Sequence, residues 1–378
     1  MSATAAAHVT VAHPFRFASG RWLLQAEGGR LLSPVFGPDP AAASAELLAQ
    51  LRAAEARTGR THVLCGLIPF DTSQPAHLRL TSRAGFLPRT RTAASGAGAP
   101  LVQRPPATPR DDGYTAAVSD ALRRLARGEA DKVVLSRTAR HALPAGADLA
   151  GLAEVICDRL AELNPAADVY CAPDAEGQLW LGASPEIIAD VRQGRLLTHP
   201  LAGSIARTVS REDAVTLLSA SEKDRREHHF VVSHIEEALR GLTASLRVPA
   251  APEVFATDAM WHLGTRITGS VSPETSALDA ALAIHPTPAV CGTPTASASR
   301  IISELEPQAR GFYAGLVGWM DASGDGRFSL VLRGARMDAG GLELRAGAGI
   351  VEGSDPEAEH RETEAKFRTM LAGLEGIV

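Results

Sequence analysis

Two periods of apolar residues alternate along the chain. In "PAAASAELLAQLRAAEARTG", Leu47, Leu48 and Leu51 recur at helical spacing and Gly59 offers a left-handed stop, which predicts a helix. The run "THVLCGLIPF" is continuously apolar and short, the pattern of a buried strand. "DGYTAAVSDALRRLARGEA" puts Val118, Leu122 and Leu125 on one helical face, and "DKVVLSRTARHAL" follows as a strand that begins at Lys132. "DLAGLAEVICDRLAELNP" predicts a helix stopped at Asn164-Pro165. Strands broken at Glu176-Gly177 and Gln193-Gly194 come next, followed by a long helical stretch from Asp213 to Leu242 that has room for two helices. The segment 311–350 reads as a strand meander turning at Gly324-Asp325-Gly326 and Gly340-Gly341, and a last helix starts near Asp355-Pro356. Strand meanders with helices outside predict an α+β protein. Residues 93–112, rich in Gly, Ala and Pro, are the best candidate for a loop or subdomain join.

Composition narrows the function classes. The 378 residues are 45% hydrophobic and 21% charged, enough for a sizeable core with an ordinary surface. A formal net charge of -5 gives no reason to expect nucleic acid or an anionic membrane as partner. No apolar run nears the ~20 residues of a membrane span, and "MSATAAAHVTVAHPF" lacks a signal peptide's basic start and apolar core. Cys65, Cys157, Cys171 and Cys291 form no CxxC pair, so they read as core residues of a reduced, cytoplasmic protein.

Some motifs fail on inspection. "RAGAGIVEG" has no following Gly-Lys-Ser/Thr and no βαβ setting, so its glycines read as a strand that something approaches closely. "DASGDGRFSLVL" begins like a calcium loop, but its twelfth position is Leu332 rather than a bidentate glutamate, which predicts a hairpin. His228, His229 and His234 lack the HExxH spacing and read as helix residues.

Two acidic pairs are harder to dismiss. Asp224 and Glu227 in "SEKDRREH", and Glu359 and Glu362 in "EAEHRETEAKF", lie three apart on predicted helices, so each pair shares one face. Two such faces could meet around a hard divalent ion such as Mg²⁺, which takes oxygen ligands and bridges carboxylates to an anionic substrate. The plain alternative is a solvated face with Lys223–Glu227 and Glu362–Lys366 pairs. Lys132 at a strand end and Glu186 in "GASPE" are candidate acid–base groups; the plain alternatives are a snorkelling lysine and a turn carboxylate.

Taken together and in order, "DKVVLSR", "LGASPEII", "HPLAGSIAR", "SEKDRREH", "WHLGTRITG", "HPTPAVCGTP", "GFYAGLVGW" and "RAGAGIVEGSDPEAEHRETEAK" resemble the chorismate-utilising enzymes. The resemblance covers about residues 114–372, the expected catalytic region, with residues 1–110 a variable N-terminal part of one 1–378 domain. It implies two antiparallel sheets stacked face to face with helices outside. It also implies Mg²⁺ held by Glu227 and Glu362 with Asp224 and Glu359 in support. Arg333 would grip the pyruvyl carboxylate, while Gly203, Gly347, Lys366, Tyr313 and His262 would line the substrate pocket. "KVVLSR" and "HPTPAV" resemble the water-adding branch, the isochorismate synthases, in which Lys132 would be the base on water and Glu186 the acid on the C4 hydroxyl. Lys132 must then be neutral and Glu186 protonated. Salicylate synthases, amine-transferring members and an inactive binding homologue are the alternatives. A monomer acting on chorismate without an amidotransferase subunit is expected, feeding siderophore, salicylate or menaquinone synthesis.

Overall fold

The computed structural model describes residues 13–89, 111–143, 146–257 and 260–375. Most of the predicted 93–112 join, and the first twelve residues, lie outside the described residues. Among the described residues there are eight helices: α1 (Pro40–Thr58), α2 (Asp112–Ala126), α3 (Leu149–Leu163), α4 (Arg211–Ala220), α5 (Glu222–Leu239), α6 (Ala277–Ile284), α7 (Thr295–Leu305) and α8 (Pro356–Leu374). None is long and apolar enough to cross a membrane.

Local chemistry explains the helix ends. The Asp39 side chain accepts from the Ala42 N–H, and Gly59, at φ 65°, ends α1 in the left-handed region. Asp355 caps α8 in the same way, with proline in its first turn. Ser221 splits the long helical stretch into two, because it closes α4 and its hydroxyl accepts from Asp224 N to start α5.

Two nine-stranded antiparallel sheets carry the helices. In the first, Lys132–His141 and Gly341–Val351 pair over ten residues beside Gly334–Asp338, Leu179–Ser184, Asp168–Pro173 and the N-terminal Phe15–Ser19. In the second, Ile187–Arg192, Gly326–Leu330, Leu316–Asp321 and Val63–Ile68 lie in the middle. A third, three-stranded sheet joins Leu201–Ala206, Met260–Gly264 and Glu253–Ala256. Strand alternation sorts the core. Phe15, Phe17 and Tyr170 of the first sheet meet Val63, Leu67, Val317 and Trp319 of the second, so the two sheets stack. The opposite face of the second sheet is covered by Leu47 and Leu51 of α1, Val231 and Ile235 of α5, and Leu278 of α6. That of the first is covered by Ile156 and Leu160 of α3 and by Phe367 and Met370 of α8.

The predicted 311–350 meander is corrected in one respect. Its four strands do not share a sheet: Leu316–Asp321 and Gly326–Leu330 belong to the second, and Gly334–Asp338 and Gly341–Val351 to the first. The chain changes sheet across Val331–Arg333. It does so again between Leu179–Ser184 and Ile187–Arg192, across Pro185 and Glu186. The two crossings run side by side, since Ala183 N donates to Arg333 O and Leu330 N to Glu186 O.

Candidate active site

The crossings deliver Glu186 and Arg333 to the same place. Together with Gly203, Glu227, His262, Tyr313, Gly347, Glu362 and Lys366 they line one cleft, which encloses about 730 Å³ including its open mouth. Arg333 has φ 50° and Ala314, also on the cleft wall, φ 61°. Non-glycine residues rarely adopt this conformation, and such strain gathers at functional sites.

The long ladder builds the floor. Lys132, Val134 and Ser136 pair opposite Val351, Gly349 and Gly347. A methyl on Gly349 would overlap Glu227 Oε1 and lie 3.1 Å from Lys132 Cε; one on Gly347 would lie 3.1 Å from Tyr313 Oη. These two glycines therefore make room for side chains, and the Gly347 carbonyl accepts from Lys366 Nζ at 2.9 Å. Gly349 was not among the expected residues, although it sits in the quoted "RAGAGIVEG".

Lys132 is fully buried rather than snorkelling. Its Nζ lies 2.9 Å from Glu227 Oε1, but outside hydrogen-bond alignment, and it has no hydrogen-bond partner among the described residues. Glu186 is 3% exposed and its Oε1 is also without a partner. Burial pushes the Glu186 carboxyl up to about 8, against the pull of the Leu201 backbone N–H and of Lys132, Lys366 and Arg333. Glu186 lines the cleft, whereas Lys132 lies just behind the wall, against the lining residues Glu227 and Gly349. Buried polar atoms are rarely left unsatisfied, so the two call for a functional account.

The other walls are cationic or neutral. Arg333 donates through Nη1 to Thr369 Oγ1 at 3.3 Å and lies 3.4 Å from His262 Nε2 through Nη2. Burial, with Arg333 and Lys366 nearby, holds His262 well below its usual range, so its ring is neutral. Burial pushes Tyr313 up to about 12, so the phenol keeps its proton. Arg345, another residue absent from the expectations, reaches the cleft wall, where its guanidinium lies 5.4 Å above the Tyr313 ring.

The acidic pairs come together only in part. Glu227 and Glu362 line the cleft; Asp224 and Glu359 do not. Glu362 Oε1 lies 2.7 Å from Lys366 Nζ and accepts from Ser204 Oγ at 3.1 Å. The Lys223–Glu227 pairing offered by helical spacing does not form as expected: Lys223 reaches across to Glu359 at 2.6 Å, and Glu227 turns to Lys132. Burial and then the neighbouring Glu362 raise the Glu359 carboxyl. Asp224 packs beneath Gly203, whose φ of 75° and lack of a side chain permit the approach. Among the described residues no three acids, histidines or cysteines converge as metal ligands. Two carboxylates facing a cleft that also holds Arg333 and Lys366 nevertheless form a hard-oxygen donor set of the kind that could share Mg²⁺ with an anionic substrate.

The rejected motifs stay rejected. Asp321–Asp325 is a hairpin in which Ser323 N donates to Asp321 Oδ1. His228 bonds Thr265 and His234 bonds the Ile284 carbonyl. All four cysteines are free and buried.

Comparison with known proteins finds relatives along most of the chain. The isochorismate synthase EntC of Escherichia coli K12 is 36% identical over 347 residues, 89% of this chain and 88% of that protein. The putative isochorismate synthase MenF of Mycobacterium tuberculosis is 39% identical over 343 residues, 86% and 90% of the two chains. The crystal structure of a putative 2,3-dihydroxybenzoate-specific isochorismate synthase, DhbC from Bacillus anthracis, superposes with a TM-score of 0.85 at 32% identity, covering 96% of each chain. The family model described as chorismate binding enzyme matches residues 71–375, and the chain belongs to that family.

Proposed function

We propose that the protein is an isochorismate synthase, which converts chorismate reversibly to isochorismate by adding water at C2 and releasing the C4 hydroxyl. The observation that carries this reading is a pair of buried groups without hydrogen-bond partners among the described residues at the cleft: a Glu186 carboxyl on its wall that burial keeps protonated, and Lys132 Nζ directly behind the lining residue Glu227. Lys132, when neutral, takes the proton of the attacking water, and Glu186 gives its proton to the departing hydroxyl. Neutral His262 and protonated Tyr313 add no negative charge to a site that must receive a dianion. Arg333 holds the pyruvyl carboxylate as a planar donor, while Lys366 and the backbone at Gly203 and Gly347 place the ring. Glu227 and Glu362 would hold Mg²⁺, with Glu359 and Asp224 behind them; the ion would neutralise the ring carboxylate. The relatives named as isochorismate synthases support the same reading. The protein is read as one 1–378 unit, because the N-terminal strand Phe15–Ser19 pairs with Asp168–Pro173 of the catalytic region. A cytoplasmic monomer without an amidotransferase subunit completes the proposal.

The test needs only purified protein, chorismate and Mg²⁺, with no amine. A chorismate–isochorismate ratio that is the same from either side, without pyruvate, is the expected result. Salicylate with pyruvate would move the protein to the lyase branch. Turnover that requires ammonia or an amidotransferase would overturn the role given to Lys132.

A further inference from the structure

A second pocket adjoins the cleft and shares Arg333, Pro185 and Leu201 with it. It encloses about 970 Å³ including its mouth. Its walls are largely apolar, with Leu163, Ile187 and Phe255 among them, and no aspartate or glutamate lines it. Three arginines do: Arg207, Arg266 and Arg333. Arg266 is exposed and has no hydrogen bond or ion pair among the described residues. Arg207 donates to the Thr257 carbonyl and lies 5.2 Å over the Trp261 ring, with no carboxylate partner among the described residues. His199 lines the same pocket, is 7% exposed, and leaves Nε2 without a partner. Apolar walls with two guanidinium groups, those of Arg207 and Arg266, that have no carboxylate partner among the described residues are the features of a site for an apolar molecule carrying negative charge.

Arg333 ties this pocket to the cleft. Its Nη1 bonds Thr369, which lines the second pocket, and its Nη2 faces His262, which lines the cleft. An anion in the second pocket would draw on the same guanidinium that the substrate needs.

We propose that this pocket is a regulatory site for a small aromatic monocarboxylate, whose binding weakens the grip of Arg333 on substrate in the cleft. Phe255 and Leu201 would contact the ring, and Arg266 and Arg207 the carboxylate. His199 is neutral here, because burial and then Arg266 push it down to about 4, so it adds no charge to the pocket wall. The effect on turnover rests on the isochorismate synthase reading; the binding itself does not.

Benzoate is the probe. Its binding to the full chain is measured by calorimetry, and its effect on chorismate turnover by steady-state kinetics. The expected result is mixed inhibition, with both kcat and the apparent affinity for chorismate lowered. Arg266→Ala should weaken benzoate at least tenfold and leave kcat/KM for chorismate within twofold. Ala166→Trp, at an exposed position on the pocket wall, should also exclude benzoate and preserve turnover. Purely competitive inhibition that Arg266→Ala does not change would place benzoate in the cleft and overturn the proposal. Absence of benzoate binding to a wild-type chain that turns over chorismate would overturn it too. A chain that binds benzoate with the expected Arg266 dependence but leaves chorismate unchanged would instead defeat the functional reading.

Discussion

Replacing Glu186 by Gln separates the proposed acid from a mere buried carboxylate. Burial raises this group from an ordinary 4.5 to about 8, so the folded protein holds the proton more tightly than the unfolded chain. The stability linked to this is fully present below about pH 4.5 and is lost as pH rises to about 8. At ~1.4 kcal/mol per unit, the change amounts to roughly 5 kcal/mol. Unfolding entropies near 2.1 cal/mol/K per residue make this roughly 6 °C in Tm for a chain of 378 residues. Glutamine keeps the shape and cannot ionise, so the Tm of Glu186→Gln relative to wild type should climb by about that amount between pH 5 and 9. Scanning fluorimetry of both proteins across that range measures it, and the subtraction cancels the other titrating groups. Chorismate turnover by the variant should fall roughly 10²–10⁴-fold. Wild-type turnover should decline as pH passes 8, where the acid loses its proton. A Tm difference that stays flat with pH would show that Glu186 is already ionised at neutral pH, and the assignment of the general acid would fail.

Further variants probe the remaining parts of the cleft. Lys132→Ala should reduce water addition by about 10²–10⁴-fold while chorismate still binds by calorimetry; normal turnover would refute the base. Glu362→Gln should shift the Mg²⁺ titration of activity to at least tenfold higher concentration, and an unchanged curve would remove it from the metal site. Gly349→Ala places a methyl onto Glu227 Oε1, so it should abolish turnover and cost about 1–3 kcal/mol in denaturant unfolding. A fully active, equally stable Gly349→Ala protein would show that Glu227 does not sit where the structure has it.

Much of this protein is legible without its fold, for reasons of short range. Asp39 and Gly59 bound α1, Asp355 and proline start α8, and the glycine turns at 177 and 194 close hairpins, because caps and turns depend only on near neighbours. The ordered motifs are legible as one family's, and that resemblance raised the expectation that Lys132, Glu186, Arg333 and the acidic helices share a site. Their mutual arrangement, by contrast, is a matter of contacts across hundreds of residues. Helical spacing offers Lys223 to Glu227, yet α5 and α8 both pack on the strands Leu201–Ala206 and Gly341–Val351, which hands Lys223 to Glu359 and leaves Glu227 to a lysine 95 positions earlier in the chain. Alternation along "DKVVLSR" is silent on whether Lys132 meets water or is buried behind a cleft wall. That followed from its ten-residue ladder with a strand whose glycines admit the lysine. The same holds for the side-by-side sheet crossings that bring Glu186 and Arg333 together. Two segments that each read as ordinary strand ends become one site only because the stacked sheets exchange strands there.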